Sequence, residues 1–295
     1  MKKIRKGGVS FMIVSIIECL DTKTGETKEL LRLEGRFEAP FFRGAEEMFY
    51  NGGGAIYRHN LTTGVTERID TGFCTRCNND HVLSPDGEYL AVSHDAEEDY
   101  CSRIYILPLD GSAPPRQITP LPFSYLHGWS PDGSTLVYCA SRAGEFDVYA
   151  ISAEGGEERR LTFAPGLDDG PEYAPNGKRI YFCSVRSGHM DCYAMDPNGG
   201  NVCRLTDNGR NNWFPHISPD NSTVAYVSYD GQEVAPGDHP ADKWVELRLM
   251  NADGSCDRTA LRLFGGQGTL NVNSWMPDSR HLAFVRYEIT PDDVP

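Results

Sequence analysis

No segment of this 295-residue sequence approaches the roughly 18 consecutive apolar residues that a membrane span needs, so a membrane partner is not expected. Hydrophobic residues make up only 39%, while glycine (30) and proline (19) are plentiful, which disfavours long helices and suits many short strands punctuated by turns. Positive charge is also scarce. Lys and Arg total 28 against 42 Asp and Glu, a net charge of −14, and the one basic block is Lys2, Lys3, Arg5 and Lys6. A phosphate backbone is repelled by such a surface, which sets nucleic acid aside as a partner. The opening MKKIRKGGVSFMIVSIIECL imitates a secretory signal, but its apolar core from Phe11 to Ile17 is short and no small-x-small cleavage site follows. Cysteine is odd in number, nine, and Cys139 and Cys183 fall inside strand-like runs, as reduced buried thiols do. A soluble, cytoplasmic protein is the expectation.

What the sequence has in abundance is repetition. SPDG at Ser84–Gly87 returns as SPDG at Ser130–Gly133, APNG at Ala174–Gly177, SPDN at Ser218–Asn221 and MPDS at Met276–Ser279, with a degenerate FRGA from Phe42. The starts are separated by 42, 46, 44, 44 and 58 residues. Proline presets φ at the second turn position, Asp or Asn bonds its own backbone, and Gly accepts positive φ, so each phrase predicts a tight turn between strands. A β-rich run follows every turn: EYLAVS, STLVYCAS, KRIYFCSV, STVAYVS and RHLAFVRY. Then come a polar loop, a third strand, a glycine hairpin and a short fourth strand such as RQIT, RRLT or CRLT. Strand, turn, strand, loop, strand, hairpin, strand is one four-stranded antiparallel sheet, the unit of a propeller blade. Six copies predict an all-β, six-bladed β-propeller spanning residues 1–295 as one domain, with blade repeats starting near 42, 84, 130, 174, 218 and 276. The last copy lacks its outer strands, and residues 14–33, with the hairpin TKTGE, read as those strands supplied by the amino terminus. A closed ring has no obligatory edge to pair, so a monomer is expected.

The pattern resembles the TolB-like propeller family, whose blades carry a WSPDG-type turn, an IYxxD hairpin and an RLT strand. HGWSPDG at His127–Gly133 and RRLT at Arg159–Thr162 carry the resemblance, which runs over nearly the whole chain, from Ile13 to Tyr287. It implies the fold, and it implies a channel mouth that is presented to a ligand or to a protein or peptide partner.

In such propellers the first strand of each blade lines the channel just upstream of the turn. Here those strands read NDHVLS, LHGWS, PEYAP, PHISP and NSWMP, bringing His81, His127, Glu172 and His216 toward the axis. The two earlier histidines stand three residues before their turns, whereas Glu172 and His216 stand two before. A one-residue offset reverses the face of a regular strand, so the four converge only where a bulge intervenes. Three imidazoles and a carboxylate about one axis suit a divalent metal such as manganese or zinc. Polar channel positions that simply bond water and backbone are the alternative.

The inter-blade connections add candidate contacts for a small carbohydrate or sugar acid: Arg76, Asp80, Tyr125, Asp169, Arg210, Trp213, Gln267 and Asn271. Arginines, amides and aromatic rings supply carboxylate capture, hydroxyl bonding and ring stacking. The second loops of the blades add Arg142, Arg186, His189 and the long stretch 230–243. Asp168 and Asp169 also read as ordinary turn residues, and Trp213 as packing. Cys74 and Cys77 form a CxxC near His81, but no second cysteine pair stands at zinc-ribbon spacing and no βαβ pattern surrounds it. No GxSxG elbow is present.

Oligogalacturonate lyases are similar in kind, as TolB-like propellers in which histidines and a glutamine hold manganese near one mouth and an arginine abstracts a proton. By that resemblance His81, His127 and His216 would be ligands, with Glu172 or Gln267 as a fourth. Arg142 or Arg186 would be the base, and Glu172 would also be placed to act at the reacting centre, with the metal acidifying the C–H beside a uronate carboxylate. Blade number and ligand spacing differ in that family, so these roles carry over as chemistry. The rival expectation is a non-catalytic protein- or sugar-binding propeller.

Overall fold

The computed structural model describes residues 4–6, 9–142 and 144–291. The amino-terminal region gives β1 (Ile4–Lys6), β2 (Val9–Asp21) and β3 (Thr27–Glu34), and Lys2 and Lys3 of the basic block lie outside the described residues. Blade 1 holds β4 (Phe37–Arg43), β5 (Glu47–Gly52), β6 (Ala55–Asn60) and β7 (Thr66–Arg68). Blade 2 holds β8 (Cys77–Leu83), β9 (Tyr89–Asp95), β10 (Ser102–Pro108) and β11 (Arg116–Gln117). In blade 3 these become β12 (Ser124–Trp129), β13 (Thr135–Ser141), β14 (Phe146–Ser152) and β15 (Arg159–Arg160). Blade 4 runs β16 (Asp168–Tyr173), β17 (Ile180–Ser184), β18 (Asp191–Met195) and β19 (Cys203–Arg204). Blade 5 has β20 (Asn211–Ile217) and β21 (Thr223–Tyr229), then the longer β22 (Ala241–Asn251) and β23 (Arg258–Gly266). A short 3-10 turn (Gln267–Thr269) leads to the final strand, β24 (His281–Pro291).

These strands form six four-stranded sheets, so the chain is the all-β, six-bladed propeller that the repeat predicts. Closure is composite. Strand β24 pairs with β2, in a register that sets Leu20 opposite Leu282 and Ile17 opposite Val285, and β2 in turn pairs with β3. The amino-terminal strand is longer than residues 14–33 suggest, since β2 begins at Val9 and also carries β1 on its extension. The inner wall of this sixth blade is irregular. Only a bridge from Trp275 to Leu282 joins it to β24.

The repeat phrases fold as they do for local reasons. At the first turn the Ser84 hydroxyl donates to Asp86 at 2.5 Å and accepts from the Tyr89 amide at 3.0 Å, while Gly87 sits at φ +73°. Ser130 and Ser218 repeat the bond to Asp132 and Asp220, each at 2.6 Å. The threonine of each RLT-type phrase turns inward: Thr119, Thr162 and Thr206 accept the amides of Ile104, Val148 and Cys192 at 2.9–3.0 Å. The hydroxyl thereby replaces a ladder partner that a two-residue strand is too short to provide. Apolar clusters then fill the interfaces between neighbouring sheets, with Trp213, Tyr138 and Tyr226 fully enclosed.

The feature that positions the site is a bulge in the inner strand of each of blades 1 to 5. Register slips between Glu38 and Phe41, Cys77 and His81, Leu126 and Gly128, Asp169 and Glu172, and Trp213 and His216. In three of these the bulged residue is left-handed, Ala39 at φ +54°, Gly170 at +58° and Phe214 at +56°, and a proline follows it each time. His81 and His127 occupy the place of those prolines, whereas Glu172 and His216 occupy the next position. The two sets therefore aim at different neighbours.

Candidate functional site

The channel interior is organised as pairs between blades. His127 of β12 meets Asp169 of β16, Nε2 to Oδ1 at 3.0 Å, with its ring stacked on Phe214 at 6.0 Å between centroids. One position further along, Nδ1 of His216 on β20 bonds a carboxylate oxygen of Glu172 on β16. The other oxygen of Glu172 accepts from Asn273 Nδ2 at 2.6 Å and from the Ile217 amide at 3.3 Å. Asn271 donates across the axis to Asp80 Oδ1 at 2.8 Å and to the Asn79 carbonyl at 3.2 Å. The irregular segment 270–275 is thus the sixth wall of the channel, held by side-chain bonds where the other blades use a ladder. Trp275 completes it by donating from Nε1 to the His216 carbonyl at 3.1 Å, as Trp129 donates to Val82 at 3.2 Å.

Burial and charge separate these groups electrically. Asp80 is pushed up to about 6, first by burial and then by the like charges of Asp169 and Asp95, against the opposing pull of His127 and Asn271. Burial opposes the charge on His127, but the bond and charge of Asp169, with Asp80 and Glu172 behind it, raise its pKa. Asp169 is lowered because His127 and His239 outweigh its own desolvation. The outcome is a histidine–carboxylate pair whose charged form is favoured on both sides, beside a carboxyl raised toward neutrality, a constellation able to hold or pass a proton. His239 comes from the 230–240 connection and packs on Trp213 at 4.3 Å and Phe214 at 5.6 Å. Sequence reasoning named the stretch and missed the residue; its signal was the 58-residue spacing of the last repeat.

His81 does not join either pair. It is fully enclosed, tilted against Phe41 at 5.3 Å, with neither ring nitrogen reaching a hydrogen-bond partner. Burial drives its pKa down to about 3, although backbone groups of Asn79 and Ala39 lie near enough to soften the effect. The imidazole is therefore neutral. His127 commits Nε2 to Asp169 and His216 commits Nδ1 to Glu172, so the four expected ligands do not converge. Among the described residues, no group of three or more His, Cys, Asp or Glu side chains is placed to hold a metal ion. The residues do not fit the manganese or zinc site that the lyase resemblance implies.

The two arginines expected as bases are latches. Arg142 binds Glu158 through two bonds of 2.8 and 2.5 Å and also donates to the Pro122 carbonyl and the Ser124 hydroxyl. Burial works against its charge, but Glu158 more than compensates and raises the pKa, the opposite of what proton abstraction needs. Arg186 grips Asp168 at 2.8 and 2.9 Å and stacks over Phe182 and Tyr193. Asp168 is thus an ion-pair partner as well as a strand residue. Arg210 donates to the Ser228 hydroxyl at 2.8 Å, and Arg76 to the Asp95 carbonyl at 2.9 Å. Trp213, offered as a sugar-stacking ring, has no exposed surface and belongs to the core. Tyr125 is half-buried against Phe146, and Gln267 opens the 3-10 turn between blade 5 and the sixth wall. Cys74 and Cys77 are buried thiols raised in pKa by desolvation, with Cys77 Sγ donating to the Cys74 carbonyl at 3.2 Å, so they lack the thiolate character of a redox or zinc pair.

At the turn end of the channel lies a cavity of about 460 Å³, walled by Phe41, Val82, Leu83, Ile217, Val272 and Trp275 and rimmed by Pro85, Pro175 and Pro219. Its polar lining comes from Arg43, Ser84, Asp86 and Asn273. The sequence signal for it was the apolar residue closing each inner strand, which reads equally well as core.

Fold, turn chemistry and channel together define a TolB-type propeller. The family model of the TolB beta propeller domain matches residues 124–241. The uncharacterized protein Atu1656 of Agrobacterium fabrum (strain C58) is 42% identical over 275 residues, 92% of each chain. A solved TolB candidate from Agrobacterium tumefaciens superposes with a TM-score of 0.89 at 42% identity, covering 94% of this chain and 99% of that one. The chain belongs to the TolB-like six-bladed β-propeller family. Fold likeness extends to oligogalacturonate lyase in complex with manganese, at a TM-score of 0.53 and 14% identity over 89% of this chain and 72% of the lyase, which is a likeness of fold alone.

Proposed function

We propose that this protein is a binding propeller that receives an apolar segment of a partner protein in the mouth at the turn end of its channel. The observation that carries the reading is the contrast between that mouth and the channel behind it. The mouth is concave, with an apolar wall and a few polar groups, Arg43, Ser84, Asp86 and Asn273, which is the make-up of a recognition pocket. The histidines, carboxylates and arginines that a metal-dependent lyase would need are instead spent on one another, in His127–Asp169, His216–Glu172, Arg142–Glu158 and Arg186–Asp168. A uronide-lyase reading therefore draws on fold likeness and not on the site.

The test is a photo-crosslinking amino acid placed at Leu83 in the cell in which the protein is native, followed by identification of what is trapped. A single partner, lost when Leu83→Arg is introduced in protein labelled at Val82 instead, is the expected result. Metal-dependent cleavage of oligogalacturonate that disappears in His127→Ala and His216→Ala would replace this reading with the enzymatic one.

A further inference from the structure

The connection between second and third strands is short in blades 1 to 4, at residues 53–54, 96–101, 142–145 and 185–190, and longest in blade 5, at residues 230–240. It leaves the end of β21 opposite the SPDN turn and folds inward over the inner strand of its own blade. Val234 sinks into the core cluster that holds Trp213 and Phe214, and its carbonyl accepts from Asn211 Nδ2 at 2.8 Å. The Pro240 carbonyl accepts from the Tyr229 hydroxyl at 3.0 Å. Between these two anchor points His239 sets its ring against Trp213, centroids 4.3 Å apart and planes at 78°, and against Phe214 at 5.6 Å.

The rest of the connection faces solvent. Gln232, Glu233, Ala235, Gly237 and Asp238 are exposed and His239 is half-buried, whereas Trp213 has no exposed surface and Phe214 only 2%. The connection is therefore a cover resting on two rings. Its own turns are local: the Glu233 and Val234 amides donate to the Asp230 carbonyl at 3.0 and 3.1 Å, and the Asp238 amide to the Ala235 carbonyl at 3.0 Å. Lifting it breaks no pairing within a sheet, which places it among the segments that open at low free energy. Beneath it, the Phe214 ring also stacks on His127 at 6.0 Å, so one ring touches both the cover and the His127–Asp169 pair.

His239 is the titratable member of this contact. Imidazole changes charge between pH 5 and 8, and an imidazolium against aromatic rings gains a cation–π attraction that the neutral ring lacks. Asp230, Glu233 and Asp238 on the same connection favour the cation, while Lys243 on β22 and His127 beyond Phe214 oppose it. Asp242 of β22 is held by Arg36 at 2.8 Å. Strand β20 offers rings alone, since His216 is bonded to Glu172, and Arg210 just before it to Ser228. Asp169 of β16 feels the charge of His239 but is already bonded by His127, so the fastening rests on the rings and not on that carboxylate. The indole Nε1–H of Trp213 is buried without an acceptor among the described residues, which works against the covered state.

We propose that the 230–240 connection is a proton-operated cover at the loop end of the channel, fastened when His239 is a cation against Trp213 and Phe214 and loosened when it is neutral. The device lies at the far end of the channel from the turn-end mouth and stands or falls without it.

Hydrogen exchange of the full chain, corrected for the intrinsic pH dependence of exchange, reads the cover through the amides of Glu233, Val234 and Asp238. In the parent these are protected about threefold or more at about pH 5.5 than at about pH 8. Tryptophan emission falls over the same interval on acidification, because an imidazolium in contact quenches the indole. His239→Gln gives the low protection and the unquenched emission at both pH values, while melting at pH 8 within about 2 °C of the parent. His239→Arg, a permanent cation able to lie on the indole, keeps the protection high at both. Equal protection of the parent at the two pH values, a pH dependence that survives in His239→Gln, low protection in His239→Arg, or a lower melting temperature of the glutamine variant at pH 8 would each overturn the proposal.

Discussion

The two ends of this channel are built by different rules. At the turn end the same four-residue phrase recurs blade after blade, and successive copies interlock: a Cβ at Gly133 would meet Pro85 at 3.8 Å, and one at Gly177 would meet Pro131 at 3.7 Å. At the loop end each connection has its own solution. Arg142 is clamped by Glu158, Arg186 by Asp168, and Arg76 lies between Tyr100 and Glu97. Repetition makes the ring, because identical turns hand each blade to the next at a constant angle. Individuality makes surfaces, because only segments released from the repeat can vary in length, charge and exposure.

Between the two ends, the buried pairs should carry stability and the apolar mouth should carry little. Glu172→Ala strips His216, Asn273 and the Ile217 amide of their shared acceptor, and a loss of about 3–5 kcal/mol is expected in urea unfolding. A loss below 1 kcal/mol would mean that the channel pairs are as dispensable as the rim of the mouth.

A subtler contrast sets His81 against His127. The pKa of His81 is depressed to about 3, so its stabilising contribution is present above its unfolded value near 6.5 and is lost as pH falls from there toward 3. The pKa of His127 is raised, so its contribution is full below about 6.5 and is lost as pH rises through the folded value. His81→Leu should therefore shift acid unfolding to lower pH and raise stability more at pH 5 than at pH 8. An unchanged acid midpoint would show that His81 is protonated without cost. The smallest effect is expected at the mouth itself: Val82→Ser, at a partly exposed wall position that packs against two apolar clusters, should lower unfolding stability by about 1 kcal/mol.

The blade count, the turns and the composite closure were legible because each is written in local chemistry. Ser84, Asp86 and Gly87 specify a turn within four residues, and the truncated last repeat left only the amino terminus to finish it. The site was legible in composition and not in arrangement. His127, Glu172 and His216 lie on inner strands at the channel, as expected, and Asp80, Asp169 and Asn271, expected on the connections at the mouth, meet them there, yet a single metal centre does not follow from their presence. His81 and Trp213 went into the core, and Arg142 and Arg186 into ion pairs.

From its sequence alone, this protein was committed to a ring of six sheets with polar side chains directed at one axis. Which carboxylate each histidine meets was decided only by the tertiary structure. A bulge of one or two residues turns a side chain to a new neighbour, and the partners stand about 40 positions apart, His127 with Asp169 and Glu172 with His216. The slip within each strand and the rotation between blades set those meetings jointly, and neither is encoded in any short stretch of residues.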